Sequence, residues 1–183
     1  MKKFDLIIVA LFINLLAACD FGFEGLFEKT RLALEESSKE IDDQIAKIRK
    51  EAAQKGVDFK AFADAQTESR VRVGGEVISE ARVKAIDATE SLLNTVEKEA
   101  LKLKRSGNQR QFLGMYKIMI KGLESLEAVG IKGVKESIYE DVKRNPINSA
   151  DRLVRVKVKI ENKLQSIKQK QRTIIRTRKK ELK

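Results

Sequence analysis

The chain has 183 residues, of which 36% are charged and 42% apolar, and its formal net charge is +11. Because it contains no histidine, histidine bases, Ser–His and Cys–His nucleophiles and histidine-ligated metal sites are excluded. The single cysteine excludes an internal disulfide. One proline, no tryptophan and many charged residues favour long helices over a sheet.

The N-terminus has the features of an exported lipoprotein. Two lysines precede an apolar run from Phe4 to Ala18, which is too short for an ordinary membrane-spanning helix but typical of a signal peptide. The run ends in Leu16-Ala17-Ala18-Cys19, which looks like a bacterial lipobox. An ordinary signal peptide with an incidental cysteine is the alternative. We predict a signal peptide over 1–18, lipid attachment at Cys19 and a non-helical tether over 19–28, because the tether has two glycines and no helical periodicity.

The rest of the chain is predicted to be an all-α, five-helix bundle. Apolar residues recur at helical spacing, and glycines near 56, 74, 107 and 130 interrupt them. These breaks, and the lack of a sustained heptad, argue against one continuous coiled coil. The third helix is the most apolar and is expected at the centre of the bundle. The predicted helices cover 29–55, 76–105, 109–129 and 131–144, with a fifth that begins after a cap at Asn148 or Ser149.

A long connection is predicted between the first two helices, over 57–75. Helical periodicity is lost there, and Gly74-Gly75 is expected to break the chain. The alternation in Arg70-Val71-Arg72-Val73 would suit a short strand, although no partner strand is evident. Long loops in compact domains are often functional.

The excess positive charge lies in the last helix. Residues 150–183 hold thirteen basic and three acidic residues, whereas 19–149 hold equal numbers of each. A charge concentrated in one segment suggests an anionic partner. One helix face is apolar, with Leu153, Val156, Ile160, Leu164, Ile167 and Ile174. A flanking stripe is basic, with Arg152, Arg155, Lys159, Lys163 and Lys170, and the one acid at i±3 or i±4 of these residues on their own helix is Asp151, four residues before Arg155. Ordinary solvated surface is the alternative interpretation.

No pattern indicates catalysis. The paired carboxylates at 35–36, 42–43 and 140–141 lie beside lysines and arginines and are best explained as solvated helix surface. Gly74-Gly75 lacks the Lys-Ser/Thr of a phosphate-binding loop. We therefore expect a non-enzymatic protein without a cofactor.

The basic stripe suits a linear polyanion. Arginine offers a planar fork to sulfate, phosphate or carboxylate, and lysine offers a mobile point charge. The last helix has no aromatic residue that could stack on a base, and export also argues against nucleic acid. Anionic lipid headgroups and sulfated glycosaminoglycans remain.

Several short strings, taken in order, give the sequence a family resemblance. They are Glu99-Ala-Leu-Lys-Leu-Lys104, Ser125-Leu-Glu-Ala-Val-Gly-Ile131, Asn145-Pro-Ile-Asn148 and Ile160-Glu-Asn-Lys-Leu164. With the lipobox, they make the chain resemble the decorin-binding lipoproteins of Lyme-type spirochaetes, from the lipobox to about Gln171. The resemblance implies a helical-bundle adhesin on the outer membrane surface, held by its lipid anchor.

The resemblance also implies ligands and binding residues. The expected ligands are decorin and its dermatan or chondroitin sulfate chains, with heparin or heparan sulfate as a further candidate, and we expect a monomer. Family members bind through basic residues of the second and last helices, which correspond here to Arg82, Lys163 and Lys170; Arg82 replaces an expected lysine. The basic loop is represented by Arg70 and Arg72, diluted by Glu68.

Together, the stripe, the resemblance and the tail define the predicted glycosaminoglycan-binding set. The adhesin domain is predicted over 29–175, followed by a flexible basic tail over 176–183. Two other functions stay open: a structural envelope lipoprotein, and a binder of another plasma or complement protein. The full set is Arg82, Lys163, Lys170, Arg70, Arg72, Lys84, Arg152, Arg155, Lys159, Arg176, Arg178, Lys179 and Lys180.

Overall fold

The computed structural model describes residues 2–59 and 68–181, and side chains for 25–59 and 75–181. These residues form five helices and contain no strand, which confirms the predicted fold class. The helices are α1 (Lys2–Gln54), α2 (Glu68–Lys102), α3 (Gln109–Glu127), α4 (Val134–Arg144) and α5 (Ala150–Glu181).

Contacts between helices fix their register. Lys84 of α2 pairs with Glu51 of α1, and Thr30 of α1 donates a hydrogen bond to Glu99 of α2, so these helices are antiparallel. Lys168 of α5 pairs with Asp87 and Glu90 of α2, and Lys157 pairs with Glu97, so α5 is also antiparallel to α2.

This register defines two ends of the bundle. The proximal end holds the α2–α3 turn (103–108), the α4–α5 connection (145–149) and the part of α1 near Phe27. The distal end holds the end of α1, the α3–α4 connection (128–133) and the C-terminal part of α5.

The apolar face of α5 closes the core. Leu153, Val156, Ile160 and Leu164 are spaced 3, 4 and 4 residues apart and are almost completely buried, as their spacing predicts. Ile167 is only partly buried. Ile174 is 40% exposed, so the prediction that it continues the buried face is wrong.

The most extensive packing joins α2 to α5, followed by α2 to α1. The prediction that the third helix is central is therefore wrong. On α3, Leu113 is exposed and Ile118 and Ile120 are only partly buried. Apolar residues therefore occur on all sides of α3, but only one side of this helix is buried.

Side-chain caps and glycines set most helix ends. Asn108 and Gln111 form a capping box at the start of α3, in which the Asn108 Oδ1 accepts from the Gln111 N–H at 3.1 Å. Ser149 Oγ accepts from the Arg152 N–H at 3.3 Å and caps α5, as predicted. Gly56 and Gly130 follow α1 and α3 with φ of 77° and 78°, a conformation that favours glycine.

Two predicted breaks are absent. Residues 20–28 belong to α1, and Leu26 and Phe27 already pack against the core, so the prediction of a non-helical tether is wrong. Residues 70–75 belong to α2, so neither the strand nor the break at Gly74-Gly75 forms. A strand without a partner leaves its backbone groups unpaired, whereas a helix satisfies them at a cost of about 1 kcal/mol for each glycine.

The remaining boundaries concern the chain ends. Residues 176–181 continue α5, so the prediction of a flexible tail is wrong over these residues. The domain divisions after residues 18, 28 and 175 stay predictions. Within the described part of the chain, no helix has the length and apolar character needed to cross a membrane.

Candidate functional site

Arg82 is a half-buried cation on the inner side of α2. Its Nε donates a hydrogen bond to the Val129 carbonyl at 3.0 Å, which holds the guanidinium against the α3–α4 connection. Burial lowers the pKa of the Arg82 guanidinium. No carboxylate among the described side chains pairs with it. A desolvated cation without a counter-ion is unfavourable in a free protein, so the position favours an anion.

Gly130 allows the α3–α4 connection to approach Arg82 closely. A Cβ at Gly130 would lie 2.9 Å from the Arg82 Nη2, and φ there is +78°. Gly133 has a similar φ of +84°, but a Cβ there would have no heavy atom within 4 Å. The two glycines therefore share the backbone requirement and differ in the contact with Arg82.

This pair gives a matched prediction. We expect Gly130→Ala and Gly133→Ala each to lower the free energy of unfolding by about 1–2 kcal/mol, because alanine is strained at positive φ. Only Gly130→Ala should also weaken binding of an anionic ligand, because it displaces the guanidinium. Denaturant unfolding and a binding titration measure the two effects. Equal binding by both variants would contradict the assigned role of Arg82.

Lys163 and Lys170 lie on the exposed edge of α5. Neither has an ion pair or hydrogen bond with the side chains that the structure describes. Because Lys168 pairs with Asp87 and Lys179 approaches Glu80, Arg82 lies level with a position between Lys168 and Lys179, close to Arg176. Lys170 is about six residues, or about 9 Å, nearer the proximal end than that position, and Lys163 is about 10 Å further along α5 in the same direction. The structure thus places Arg82 and Lys170 in the distal half of the α2–α5 pair and Lys163 near its middle.

Two members of the predicted stripe form ion pairs with one acid of α4. Arg152 is 8% exposed, and its guanidinium donates to the Asp141 carboxylate at 2.9 Å and to the Asn145 carbonyl at 2.8 Å. Lys159 Nζ lies 2.6 Å from the other Asp141 oxygen. Hydrogen bonds from Lys159 and Arg152 hold the pKa of the Asp141 carboxyl below its usual value. The prediction of an unpaired stripe is wrong at these two positions, because the acid comes from another helix.

The other predicted residues fall into three groups. Arg155, Arg176 and Lys180 are exposed and have no ion-pair partner in the described regions. Lys84 pairs with Glu51, Arg178 with Glu181, and Lys179 approaches Glu76 and Glu80 at 3.6 and 3.9 Å. Arg70 and Arg72 lie in α2, with side chains outside those described.

Sequence reasoning missed two exposed cations in the distal half of the bundle. Lys132 lies in the α3–α4 connection, and Arg172 follows Lys170 by two residues, about 200° around α5 and therefore on a different face; neither has a partner among the described side chains. Proximity in sequence to Lys170 could have indicated Arg172. Sequence reasoning also missed Gln171, whose buried Oε1 has no hydrogen-bond partner within the described residues. No sequence signal distinguishes that glutamine.

Comparisons with known proteins agree with this fold. The sequence profile described as decorin binding protein matches residues 29–183. Decorin-binding protein B of Borreliella burgdorferi is 49% identical over 169 residues, which cover 92% of this chain and 89% of the relative. Decorin-binding protein A of the same species is 34% identical over 89% of this chain and 82% of its own length. The chain is thus more similar to the B protein than to the A protein.

Solved structures give the same result. The solution structure of decorin binding protein B from Borrelia burgdorferi matches with a TM-score of 0.66 and 50% identity, covering 76% of this chain and 84% of that one. Decorin binding protein A from strain N40 matches with a TM-score of 0.68 and 32% identity, covering 82% and 90%. The similarity extends over most of both chains in sequence and in fold, and the chain therefore belongs to the decorin-binding protein family.

Proposed function

We propose that the protein is a lipid-anchored adhesin of the outer membrane surface that binds decorin through its sulfated glycosaminoglycan chains. The names of its relatives support decorin as the partner. The single observation that carries the choice of an anionic ligand is Arg82, a half-buried guanidinium without a described carboxylate partner. Dermatan and chondroitin sulfate are the proposed chains, with heparin or heparan sulfate as a further ligand.

Arg82 acts as the central anion contact. Its guanidinium has already lost part of its hydration and is oriented by the Val129 carbonyl. A sulfate or carboxylate that reaches it therefore requires little reordering of the protein, and the planar fork suits two parallel hydrogen bonds. This arrangement explains why arginine can serve where a lysine is expected.

The exposed cations extend the contact along the chain of sugars. Lys163 and Lys170 lie on the exposed edge of α5; on the same helix Arg155 precedes them, and Arg176 and Lys180 follow them. Each exposed charge pair contributes about 0.2–1 kcal/mol, so several must act together. Ion pairs with a polyanion also release condensed counterions, which makes affinity fall as salt rises.

Lipid attachment at Cys19 supplies the location in this proposal. The string Leu16-Ala17-Ala18-Cys19 supports it, and more than one acyl chain gives durable anchoring. Many anchored copies facing a multivalent matrix would raise the overall avidity without any new contact. Adhesion of this kind needs neither a catalytic group nor a cofactor.

The test is a titration of the protein with dermatan sulfate across a series of salt concentrations. We expect the logarithm of the dissociation constant to rise linearly with the logarithm of the salt concentration. Decorin treated with a glycosaminoglycan lyase should bind much more weakly than intact decorin. An affinity indifferent to salt, or lyase-treated decorin that binds as well as intact decorin, would exclude this mechanism.

A further inference from the structure

The turns and helix ends at the proximal end of the bundle carry four exposed cations without an ion-pair partner among the described side chains, which we call the basic end. They are Arg105 in the α2–α3 turn, Arg110 in the first turn of α3, and Lys143 and Arg144 in the last turn of α4. The ion pair between Lys104 and Asp151, at 2.8 Å, joins the α2–α3 turn to the start of α5, directly after the end of α4. All four cations therefore lie at one end of the molecule.

The basic end is not neutralised by the protein itself. None of its four cations has an ion pair or hydrogen bond with a described side chain. The nearby acids are engaged elsewhere: Asp151 with Lys104, Glu28 with Arg31, and the buried Glu99 with Thr30 and Lys102. Glu140, one turn before Arg144, is an exposed acid of α4 without such a partner among the described side chains. The end as a whole thus retains a positive charge.

An apolar side chain stands beside these cations. Leu113 is 39% exposed and follows Arg110 by three residues, so the two occupy neighbouring positions on α3. Cations next to an exposed apolar residue are typical of protein surfaces that meet the headgroup region of an anionic membrane.

The path of α1 places this end close to the predicted anchor. Leu26 and Phe27 are the first described side chains of α1 that pack against the core. Cys19 lies eight residues before Phe27 within the same helix, or about 12 Å along its axis. Because Thr30 pairs with Glu99 in antiparallel helices, Arg105 lies level with about residue 24, only about 8 Å from Cys19 along the axis of α1. That separation is within the Debye length of about 8–10 Å at 0.1–0.15 M salt, so headgroups around the anchor would attract the cations of this end.

We propose that the basic end rests on the anionic phospholipid headgroups of the membrane that holds the Cys19 anchor. This contact orients the bundle with its distal half, including Arg82 and Lys170, away from the membrane. This orientation gives the cations at the two ends of the bundle different roles: those of the basic end contact the membrane, and those of the distal half face an external ligand. The inference rests on the lipid attachment proposed above.

The experiment uses the full-length chain produced in a bacterial host that acylates lipoproteins, purified and reconstituted into vesicles. Acylated Cys19 has no free thiol and the chain has no other cysteine, so Ser106→Cys in the α2–α3 turn can carry a single nitroxide label. Gln54→Cys, at the exposed distal end of α1, is the control position. The relative accessibility of each label to oxygen and to a water-soluble nickel complex reports its distance from the membrane.

We expect the label at 106 to report the headgroup region in vesicles of phosphatidylcholine with phosphatidylglycerol, and water in phosphatidylcholine alone. The variant with Arg105→Gln, Arg110→Gln, Lys143→Gln and Arg144→Gln should lose the headgroup signal. It should still bind dermatan sulfate, since these residues are outside the proposed ligand surface. The double variant Lys163→Gln, Lys170→Gln should retain the headgroup signal. This result would show that the contact depends on the basic end and not on a general attraction of the membrane to the cations of α5.

Three results would overturn the proposal. A label at 106 that stays in water on anionic vesicles excludes the contact, and a fourfold glutamine variant that behaves as the unsubstituted chain excludes the basic end as its cause. A label at 54 in the headgroup region would show that the bundle lies flat. Mass spectrometry that finds no acyl chain on Cys19 would instead reject the anchor, whereas failure of the headgroup contact alone leaves ligand binding intact.

Discussion

Substituting Arg82, Lys163 and Lys170 together with alanine is expected to raise the dissociation constant for dermatan sulfate about 10- to 100-fold. The two lysines contribute as exposed charges, at about 0.2–1 kcal/mol each. Arg82 is expected to contribute more, because its guanidinium is partly desolvated and already oriented by Val129. A total of about 1.4–2.8 kcal/mol corresponds to the stated range. The slope of affinity against salt should also decrease, because fewer counterions are released.

The control removes the same number of positive charges from another face. Lys39, Lys47 and Lys50 of α1 are exposed and have no ion pair within the described side chains, so their triple alanine variant has an identical change in net charge. We expect its affinity to fall less than threefold, through the long-range field alone. Equal losses in the two variants would mean that ligand binding depends on net charge and not on the α2–α5 surface.

The second large effect concerns stability. Arg152→Ala is expected to lower the free energy of unfolding by about 2–4 kcal/mol, because it removes a buried side chain, leaves the Asn145 carbonyl without its donor, and leaves the Asp141 carboxylate with only the exposed Lys159. The same guanidinium joins the end of α4 to the first turn of α5. Its loss therefore loosens the connection that starts the last helix.

Arg155→Ala is the matched control for this prediction. Arg155 lies one turn further along α5, is exposed, and has no ion pair in the part of the chain that the structure describes. We expect a change of no more than about 0.5 kcal/mol in chemical denaturation. If Arg152→Ala were as stable as Arg155→Ala, the Arg152–Asp141 contact would not hold α4 against α5.

The success of the fold prediction depended on signals that are local in sequence. Gly56 and Gly130 mark positions of positive φ, and Ser149 supplies a capping oxygen, so the helix ends they define were predictable. Gly74-Gly75 misled because each glycine weakens a helix by only about 1 kcal/mol and does not exclude it, and α2 continues through both. Gly22 and Gly25 in α1 misled for the same reason.

The candidate site was less predictable because its electrostatics join different helices. The spacing rule on α5 detects acids at i±3 and i±4 of the same helix, and for this stripe it finds only Asp151, which in the structure pairs with Lys104. It could not detect Asp141, which is eleven residues before Arg152 and reaches it only when α4 folds back onto α5. In the same way, the partial burial of Arg82 depends on the α3–α4 connection and not on any neighbour in α2.

The close packing of α2 against α5 has a consequence for the order in which the protein folds. These helices are separated in sequence by the whole of α3 and α4, yet they form the most extensive contact in the bundle. Residues of α5 such as Leu164 and Ile160 complete the core. The bundle therefore cannot close its core through contacts between sequential helices alone, because α5 must dock on a helix that precedes it by two others. We expect this non-local docking, and not the formation of any single helix, to limit the rate of folding.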